Sequence, residues 1–458
     1  MSELKNGSDC RSSPLLSGNK NQDRGDACSG KNRNRGDGQK VGFISTMVLS
    51  MATGQGAAII ILPNDLKNLG PVIFVIYTFF IVLLLTFIGV LTKEIFTCMV
   101  SLTKNENRNT LTITKLSSIF INSTFGVIIQ VIFYIVMALV PISCLIVSAT
   151  LLRGIIPMSV PYYQGIRIWL VPCFIIITPL TFIQSIAQTQ KYTLIGVAAC
   201  IISTATLYCV CLYHSITQRV TMFDFLDTDV FAPAPDYFRT FGHLLFLSPN
   251  IYLPMLIINY SKPKLFELPL FLSTSLLFCT IALSASIPYA AFRQEIEPNL
   301  LDTLQRLMTQ KVVMYWLLFL ARLLLAIYFM ISASIPLIVL FQNIESAVSM
   351  PKDMTYIKAL SHIALMAFLL AAALLFPFME PMITLTGSFP ICVIGISIPI
   401  LLYYFMADRL SLCMKIVLVT VGIATFLSSL VTTYFSLREL LVLFNKEYYE
   451  KWHQQKVP

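Results

Sequence analysis

The sequence predicts an all-α polytopic membrane protein with eleven transmembrane helices, and three observations support this fold class. Of the 458 residues, 56% are hydrophobic and only 12% are charged, roughly half the charge of an average soluble domain. The mean hydropathy of +0.77 is correspondingly high. The chain also divides into apolar stretches of about 20 residues, the length that an α-helix needs to cross the hydrocarbon core.

Eleven apolar stretches are predicted to be transmembrane helices. Their approximate ranges are 43–64, 70–92, 122–152, 168–187, 192–213, 241–260, 266–291, 312–341, 357–377, 382–406 and 412–436. Residues 1–41 are polar and rich in glycine, asparagine and basic residues, so they cannot bury enough apolar surface to fold. We therefore expect a disordered cytosolic tail at 1–41, a transmembrane domain at 42–436 and a short non-cytosolic tail at 437–458.

The distribution of lysine and arginine predicts the orientation in the membrane. With the N-terminus cytosolic, nineteen basic residues lie on the cytosolic side and twelve on the opposite side, with Arg322 inside the eighth helix. The first tail also contains Ser13-Pro14-Leu15-Leu16, which resembles a dileucine sorting signal without its upstream acidic residue. The plasma membrane and the endolysosomal membrane are the two predicted locations.

Composition and motifs argue against several other classes of protein. The basic residues do not gather on one face, so the net charge of +9 reflects membrane topology rather than nucleic-acid binding. Cys209 and Cys211 lack the partners of a zinc or redox site, and the chain has no glycine-rich phosphate loop, no His-Glu-x-x-His motif and no nucleophile elbow. We expect no enzymatic activity, no cofactor and no bound metal. The expected partners are a small-molecule substrate and the lipid bilayer, with no signal for an oligomeric state.

The first predicted helix is interrupted by Thr53-Gly54-Gln55-Gly56-Ala57-Ala58 and ends at Pro63. Glycines weaken a helix, and inside lipid such a weak point is tolerated only where the freed backbone groups face protein, water or a ligand. Unwound backbone here would leave the amides of Gly56, Ala57 and Ala58 at the positive end of the outer half-helix, which favours a carboxylate. Close helix packing through small residues is the alternative interpretation.

The sixth predicted helix contains a second irregularity, at Ser248-Pro249-Asn250. Pro249 removes a backbone donor, and the side chains of Ser248 and Asn250 can bond the groups that it frees. Breaks in the first and sixth helices are typical of a five-plus-five inverted repeat, to which the eleventh helix is an addition. In that arrangement the two broken helices meet at the bilayer midplane and line a site for a small substrate.

The candidate substrate-binding residues lie at the two breaks and across the cavity between them. They are Thr53, Gly54, Gly56, Ala57, Ala58, Tyr134, Phe246, Ser248 and Asn250. The backbone amides at the first break would bind a carboxylate, and the residues at the second break would take an amino group and shape the pocket. The hydroxyl of Tyr134 can bind a substrate from the third helix, although an interfacial or packing tyrosine fits the same position.

The candidate ion-coupling residues are Ser332, Ser334 and His243. The two serines precede a proline in the eighth helix and can either form a hard-oxygen site for Na⁺ or bond their own helix. His243 titrates near neutral pH and lies between the predicted external mouth and the second break, which suits proton coupling; a structural histidine held by a neighbour is the alternative. We expect Arg322 to snorkel to the outer boundary and Glu380 to be solvated in an external turn.

These motifs, in this order and spacing, resemble the amino acid/auxin permease family, which includes proton-assisted, sodium-coupled and vesicular amino acid transporters. The first helix resembles the family's Gly-x-Gly-Ile-Leu…Pro…Gly signature, present here as Gly56-Ala57-Ala58-Ile59-Ile60-Ile61-Leu62-Pro63 with Gly70. The likeness covers residues 42–436. Further similar motifs are Phe241-Gly242, Leu253-Pro254, Lys262-Pro263, Ser334-Ile335-Pro336-Leu337, Thr386-Gly387-Ser388 and Ile398-Pro399-Ile400-Leu401.

The resemblance implies a leucine-transporter-type fold and a secondary active transporter of amino acids that works by alternating access. Helices one, two, six and seven would move against a scaffold of helices three, four, eight and nine. The coupling ion would be H⁺ or Na⁺, and proton-coupled symport is preferred because of His243. A membrane sensor that binds an amino acid without transporting it, and a passive channel, are the alternatives.

Overall fold

The computed structural model describes most of the chain, and the described part is helical. The described residues are 55–102, 113–156, 159–182, 186–217, 232–248, 266–308, 312–347, 355–407 and 410–454, with Phe43, Met47 and Ile257. Every regular element within these ranges is a helix, so the all-α class is confirmed for this part of the chain. The predicted tail at 1–41 lies outside the described residues.

The described ranges contain fifteen α-helices, numbered in chain order. They are α1 (Gln55–Leu69), α2 (Pro71–Leu102), α3 (Ile113–Phe120), α4 (Ser123–Ile155), α5 (Tyr162–Ile177), α6 (Ile186–Thr217), α7 (Ala234–Phe246), α8 (Glu267–Phe292), α9 (Leu300–Met308), α10 (Val312–Ala347), α11 (Thr355–Leu375), α12 (Met379–Gly387), α13 (Phe389–Cys392), α14 (Ile398–Met406) and α15 (Leu412–Gln454). Short 3₁₀ turns follow α5 (Thr178–Phe182) and α8 (Arg293–Glu295).

Within the described ranges, nine segments are long and apolar enough to cross a membrane. They correspond to the predicted helices two to five and seven to eleven. The helices α1 and α7 are the described parts of the predicted helices one and six. Residues 48–54 and 249–256 lie outside the described residues. The first range contains the start of the first predicted break, and the second range contains Pro249 and Asn250 of the second break.

The first described helix continues past the residue at which the sequence predicts its end. Helix α1 has Pro63 inside it and runs on to Leu69. A proline removes one backbone hydrogen bond, but a helix enclosed by other protein segments tolerates that loss. Gly70 then ends α1 with a φ of 79°, and Pro71 begins α2, where no backbone donor is needed. The longer helix includes Asp65, which is only 1% exposed.

The tenth predicted helix, 382–406, is not continuous. It begins earlier, at Met379, and is interrupted at Ser388, whose ψ of −103° is not helical. A π-helical segment, Val393–Ser397, then joins α13 to α14. Such irregularities are frequent at functional sites. The continuous apolar sequence predicts neither of them, because hydropathy does not report backbone geometry.

The last helix is longer than the sequence predicts. The sequence predicts an end at 436, but α15 continues to Gln454, so the predicted tail is helical over 437–454. Tertiary contacts hold this extension. Glu447 forms a bidentate ion pair with Arg167 of α5, and Arg167 Nε also donates to the carbonyl oxygen of Leu374 at 2.8 Å.

Helix α10 lies at the centre of the bundle. Its backbone accepts hydrogen bonds from both neighbours, from Ser148 Oγ of α4 to the Ala326 carbonyl at 3.1 Å and from Ser203 Oγ of α6 to the Ala321 carbonyl at 2.8 Å. Small residues at these crossings let the helices approach closely. The outside of the bundle carries large exposed apolar side chains, as expected of a surface that faces lipid. Examples are Phe80, Ile175, Phe368 and Leu427.

Helix α9 is held against the bundle by a buried arginine. Arg322 of α10 is 3% exposed, and its Nη2 donates to the carbonyl oxygen of Leu301 at 2.8 Å and lies 3.3 Å from Asp302 Oδ1. Gly154 of α4 makes room for the guanidinium, because a β-carbon there would lie 1.8 Å from Arg322 Nη1. The expectation that Arg322 snorkels to the boundary is therefore wrong, because its guanidinium is buried against α9 and does not reach water.

Replacing Arg322 with methionine is expected to lower the free energy of unfolding by about 2 kcal/mol, because a charged donor is lost from two buried contacts. Asp302 limits this cost, since its side chain is 35% exposed. Burial raises the pKa of the Asp302 carboxyl, and Arg322 opposes that rise. Without Arg322 the Asp302 carboxylate opposes folding at neutral pH. The loss in free energy of unfolding caused by Arg322→Met should therefore shrink as the pH falls and Asp302 becomes protonated.

Melting temperatures measured across a pH series check this prediction. Arg306→Met is the matched control, because Arg306 pairs with Glu297 on the surface, where the two side chains are 54% and 37% exposed. It should melt close to the wild type. A deficit in Arg322→Met that grows toward acid pH would contradict the assigned role of Asp302.

Candidate functional site

The first turn of α1 lies at the predicted substrate site. The described part of α1 starts at Gln55, and the residues directly before it, 48–54, lie outside the described residues. Ala57 and Ala58 are 1% and 0% exposed. Gly56, Ala57 and Ala58 are helical, so the prediction of unwound backbone at these three residues is wrong.

Tyr328 of α10 covers this first turn. A β-carbon on Gly56 would lie 2.4 Å from Tyr328 Cε1, so the ring is in direct contact with the glycine. The ring is 1% exposed, and its hydroxyl faces the backbone of Gly56 and the hydroxyl of Ser332. It forms no hydrogen bond of standard geometry within the part of the chain that the structure describes. A buried hydroxyl beside the backbone of Gly56 can bind a carboxylate oxygen, which makes Tyr328 a further site candidate.

The described part of α7 ends directly before the predicted second break. Phe246 is its last residue, and the amide of Ser248 donates to the Leu245 carbonyl at 3.0 Å. Phe246 and Ser248 are each 3% exposed. The negative end of the α7 dipole lies here and favours an ammonium group. Three predicted site residues lie outside the described residues: Thr53, Gly54 and Asn250.

Helices α7 and α12 cross at two glycines. A β-carbon on Gly387 would lie 1.8 Å from the carbonyl oxygen of Gly242, and one on Gly242 would lie 2.8 Å from the carbonyl oxygen of Thr384. Only residues without a side chain allow two helix backbones to approach this closely. The crossing brings His243, the next residue of α7, against Thr384.

The imidazole of His243 joins three helices, in what we call the His243 triad (Asp65, His243 and Thr384). Its Nδ1 lies 2.8 Å from Oδ2 of Asp65 on α1, and its Nε2 lies 2.9 Å from Oγ1 of Thr384 on α12. The side chains of His243 and Asp65 are each 1% exposed. Burial of such groups is costly unless they are hydrogen-bonded, and here both ring nitrogens are engaged.

A more exposed group of charges, the Arg239 cluster (Asp236, Arg239, Glu380 and Glu439), lies next to the triad. The guanidinium of Arg239 lies 3.2 Å from Asp236, 3.5 Å from Glu380 and 3.4 Å from Glu439. The exposed fraction rises from 15% for the Glu380 side chain to 32% for that of Glu439. The expectation that Glu380 is simply solvated is therefore wrong, because it lies in an ion pair beside Thr384.

The remaining candidates are less closely connected to the first turn of α1. Ser332 and Ser334 are 3% and 4% exposed, and Ser334 Oγ donates to the carbonyl of Ile331 on its own helix at 2.6 Å. Tyr134 is half-buried, and its hydroxyl accepts a hydrogen bond from Gln130 Nε2 at 2.7 Å. The proposed Na⁺ and substrate roles of these residues stay predictions.

Three site residues were missed at the sequence level: Asp65, Thr384 and Tyr328. A carboxylate close to the end of a membrane helix is itself a functional signal, and Asp65 carries it two residues after Pro63. Tyr328 precedes Ser332 by four residues and so shares its helix face. Thr384 has no comparable signal, since hydroxyls in membrane helices commonly bond their own backbone.

Comparison with known proteins gives the family. A family model described as transmembrane amino acid transporter protein matches residues 39–438, which include all three helices of the His243 triad. No match was found among curated proteins. The family match confirms the resemblance to amino acid/auxin permeases, whose members are transporters rather than enzymes. With its apolar spanning helices, this chain is an integral, multi-pass membrane protein that belongs to the transmembrane amino acid transporter family.

Proposed function

We propose that the protein is a secondary active amino acid transporter that couples transport to protons and works by alternating access. The observation that carries the proposal is the enclosed first turn of α1 beneath Tyr328. We place the start of the outer half-helix at this turn, where amides without an acceptor in the helix and the positive end of the dipole would suit the carboxylate of an amino acid. The C-terminal end of α7 suits the ammonium group, so the two helix ends together match a zwitterion.

The proposed architecture is of the leucine-transporter type, with eleven helices and a five-plus-five inverted repeat. Helices α1 and α7 are the outer halves of the broken first and sixth helices, and α15 is the additional eleventh helix. We place the N-terminus in the cytosol on the basis of the charge distribution, in either the plasma membrane or an endolysosomal membrane.

Protons are the proposed coupling ion because of what the candidate residues contact. The hydroxyl of Ser334 donates to its own helix, as expected of a structural serine. His243, in contrast, bridges a buried carboxylate and a hydroxyl on two other helices. Histidine is also the side chain whose charge changes most readily near physiological pH.

Uptake of a panel of radiolabelled amino acids into proteoliposomes tests the proposal. We expect saturable uptake that an inward proton gradient increases and that a Na⁺ gradient at constant pH does not. Preloaded unlabelled amino acid should drive counterflow of the labelled form, since a carrier must return through the same site. Protein-free liposomes are the control.

Other outcomes identify other functions. Stabilisation of the protein by an amino acid, without any flux, would indicate a sensor. Currents far above carrier turnover, without counterflow, would indicate a channel. Uptake driven by Na⁺ at constant pH would retain the carrier and reject proton coupling.

A further inference from the structure

We infer that Asp65 and His243 together form the proton-binding site of this transporter, and that Thr384 stabilises its protonated state. The inference rests on the proposed transport function. It adds to that function two residues, Asp65 and Thr384, and a defined set of hydrogen bonds that changes when one proton binds.

The proton site is separate from the substrate site. Asp65 follows Gln55 by ten residues, which places it about 15 Å along α1 from the first turn. His243 lies three residues before Phe246, where the described part of α7 ends. The two sites therefore share the helices α1 and α7 at different depths, so a change at the triad can alter coupling without removing the amides that bind substrate.

When the imidazole is neutral, His243 Nε2 and the carbonyl oxygen of Glu380 compete for the hydroxyl proton of Thr384. The Nδ1–H donates to the Asp65 carboxylate, and the unprotonated Nε2 accepts from the hydroxyl of Thr384 at 2.9 Å. The same hydroxyl oxygen lies 3.0 Å from the carbonyl oxygen of Glu380 on its own helix. Because a threonine has a single hydroxyl proton, it cannot donate to His243 and to Glu380 at once.

Protonation of Nε2 removes this competition. The new Nε2–H donates to Thr384 Oγ1, the Thr384 hydroxyl donates to the Glu380 carbonyl, and Nδ1–H continues to donate to Asp65. All three contacts are then hydrogen bonds, and the positive ring lies against a carboxylate, which strengthens them. One proton from water forms one N–H bond, and no other bond is made or broken. The observed geometry thus fits the imidazolium better than the neutral ring.

The surrounding charges favour a proton at this position. The titratable and charged groups that face His243 or Asp65 are Tyr77 from α2, Asp236 and Arg239 from α7, and Glu380 from α12. Glu439 from α15 lies next to this group, 3.4 Å from Arg239. Carboxylates outnumber the single arginine, so the local potential is negative and attracts a proton. Exposure increases from 1% at His243 to 32% at Glu439, so the Arg239 cluster extends from the buried pair toward the protein surface.

The triad connects two helices of the proposed moving bundle with a helix outside that bundle. Asp65 and His243 lie on α1 and α7, the proposed moving bundle, whereas Thr384 lies on α12. The Nε2–H to Thr384 bond exists only in the protonated state, so proton binding strengthens the bridge from α7 to α12. A proton can thereby bias the conformational equilibrium by the difference in its affinity for the two conformations.

Asp65→Asn and His243→Gln test the inference in proteoliposomes. The readout is accumulation driven by a proton gradient, divided by counterflow of the same amino acid, using the best-transported member of the panel. We expect this ratio to fall at least about tenfold in both variants, within the range of known coupling between sites. A purely structural pair would lower accumulation and counterflow together and leave the ratio unchanged.

Thr384→Val tests the part played by the hydroxyl. The pH of half-maximal uptake should move about one unit toward acid, because the imidazolium loses a charge-assisted hydrogen bond. Thr384→Ser should keep the wild-type value. Thr92→Val is the matched control, since buried Thr92 donates to the Ile88 carbonyl on α2 at 2.8 Å and makes the same intrahelical bond.

The outcomes separate this inference from the proposed function. A wild-type protein without counterflow would reject the transport function and the inference with it. A transporting wild type together with an Asp65→Asn variant that keeps the wild-type ratio would reject the inference alone. If Asp65→Asn does not fold, the Thr384 variants decide, and an unchanged pH profile in Thr384→Val overturns the inference.

Discussion

Gly387→Ala is expected to lower the free energy of unfolding by at least about 3 kcal/mol, the upper end of the usual cost of overpacking. The new β-carbon would lie 1.8 Å from the carbonyl oxygen of Gly242 and 2.9 Å from the amide nitrogen of Phe246. Both are backbone atoms, so α7 and α12 must separate as whole helices, because no side-chain rotation relieves the clash. Folded proteins have a margin of only about 5–15 kcal/mol, so we expect a clearly lower melting temperature and a lower yield of folded protein.

Size-exclusion profiles and melting curves of the purified proteins measure this effect. Gly422→Ala is the matched control, because the nearest atom to its new β-carbon is Ile400 Cγ2 at 3.6 Å, an ordinary contact. Alanine is favoured over glycine in a helix by about 0.5–1 kcal/mol, so this control should melt at or slightly above the wild type. If Gly387→Ala also melts with the wild type, α7 and α12 do not cross as described.

Gly56→Ala is expected to reduce amino acid uptake by about 100-fold, the loss typical of a binding group displaced by roughly 1 Å. Its β-carbon would lie 2.4 Å from Cε1 and 2.6 Å from Cδ1 of Tyr328. The Tyr328 ring is 1% exposed and packs edge-on against Phe329, with ring centroids 5.1 Å apart, so it has little room to move. The first turn of α1 must shift instead, and its amides shift with it. Gly56→Val should abolish uptake.

Initial uptake rates, normalised to the amount of folded protein reconstituted, check the prediction. The double variant Gly56→Ala/Tyr328→Leu should recover part of the uptake, because leucine removes the ring that the new β-carbon meets. Such recovery would show that Gly56→Ala loses uptake through the contact between residue 56 and Tyr328, and not through a general folding defect. Wild-type uptake in Gly56→Ala would falsify the proposed carboxylate site.

Asp65 shows why part of the site could not be predicted from the sequence. A proline predicts a helix end locally, because it removes a backbone donor, so Pro63 places Asp65 in a connecting segment. In the folded protein α1 is enclosed by other helices and continues to Leu69, and Asp65 becomes a buried helical residue. Whether a proline ends a helix depends on the tertiary contacts of that helix, which the local pattern does not contain.

The two charged residues that were predicted to reach water illustrate the same limit. Snorkelling of Arg322 and solvation of Glu380 are reasonable expectations for isolated helix ends. Each residue instead meets a partner from a different helix, Asp302 for Arg322 and Arg239 for Glu380. The position of such a partner depends on how helices pack, so neither pair could be predicted from the sequence around one residue.

Local patterns were enough to predict the family and the nine spanning segments found among the described residues, and they made the first helix and His243 candidates for the site. Apolar length and the order of short motifs are properties of continuous sequence, because each membrane helix satisfies its own backbone hydrogen bonds. The partners of His243 were decided by the fold alone. Asp65 and Thr384 lie 178 and 141 residues away from it, and Thr384 reaches it because Gly242 and Gly387 allow the backbones of α7 and α12 to touch. Such contacts depend on the shapes of packed helices, which hydropathy and spacing along the chain do not specify.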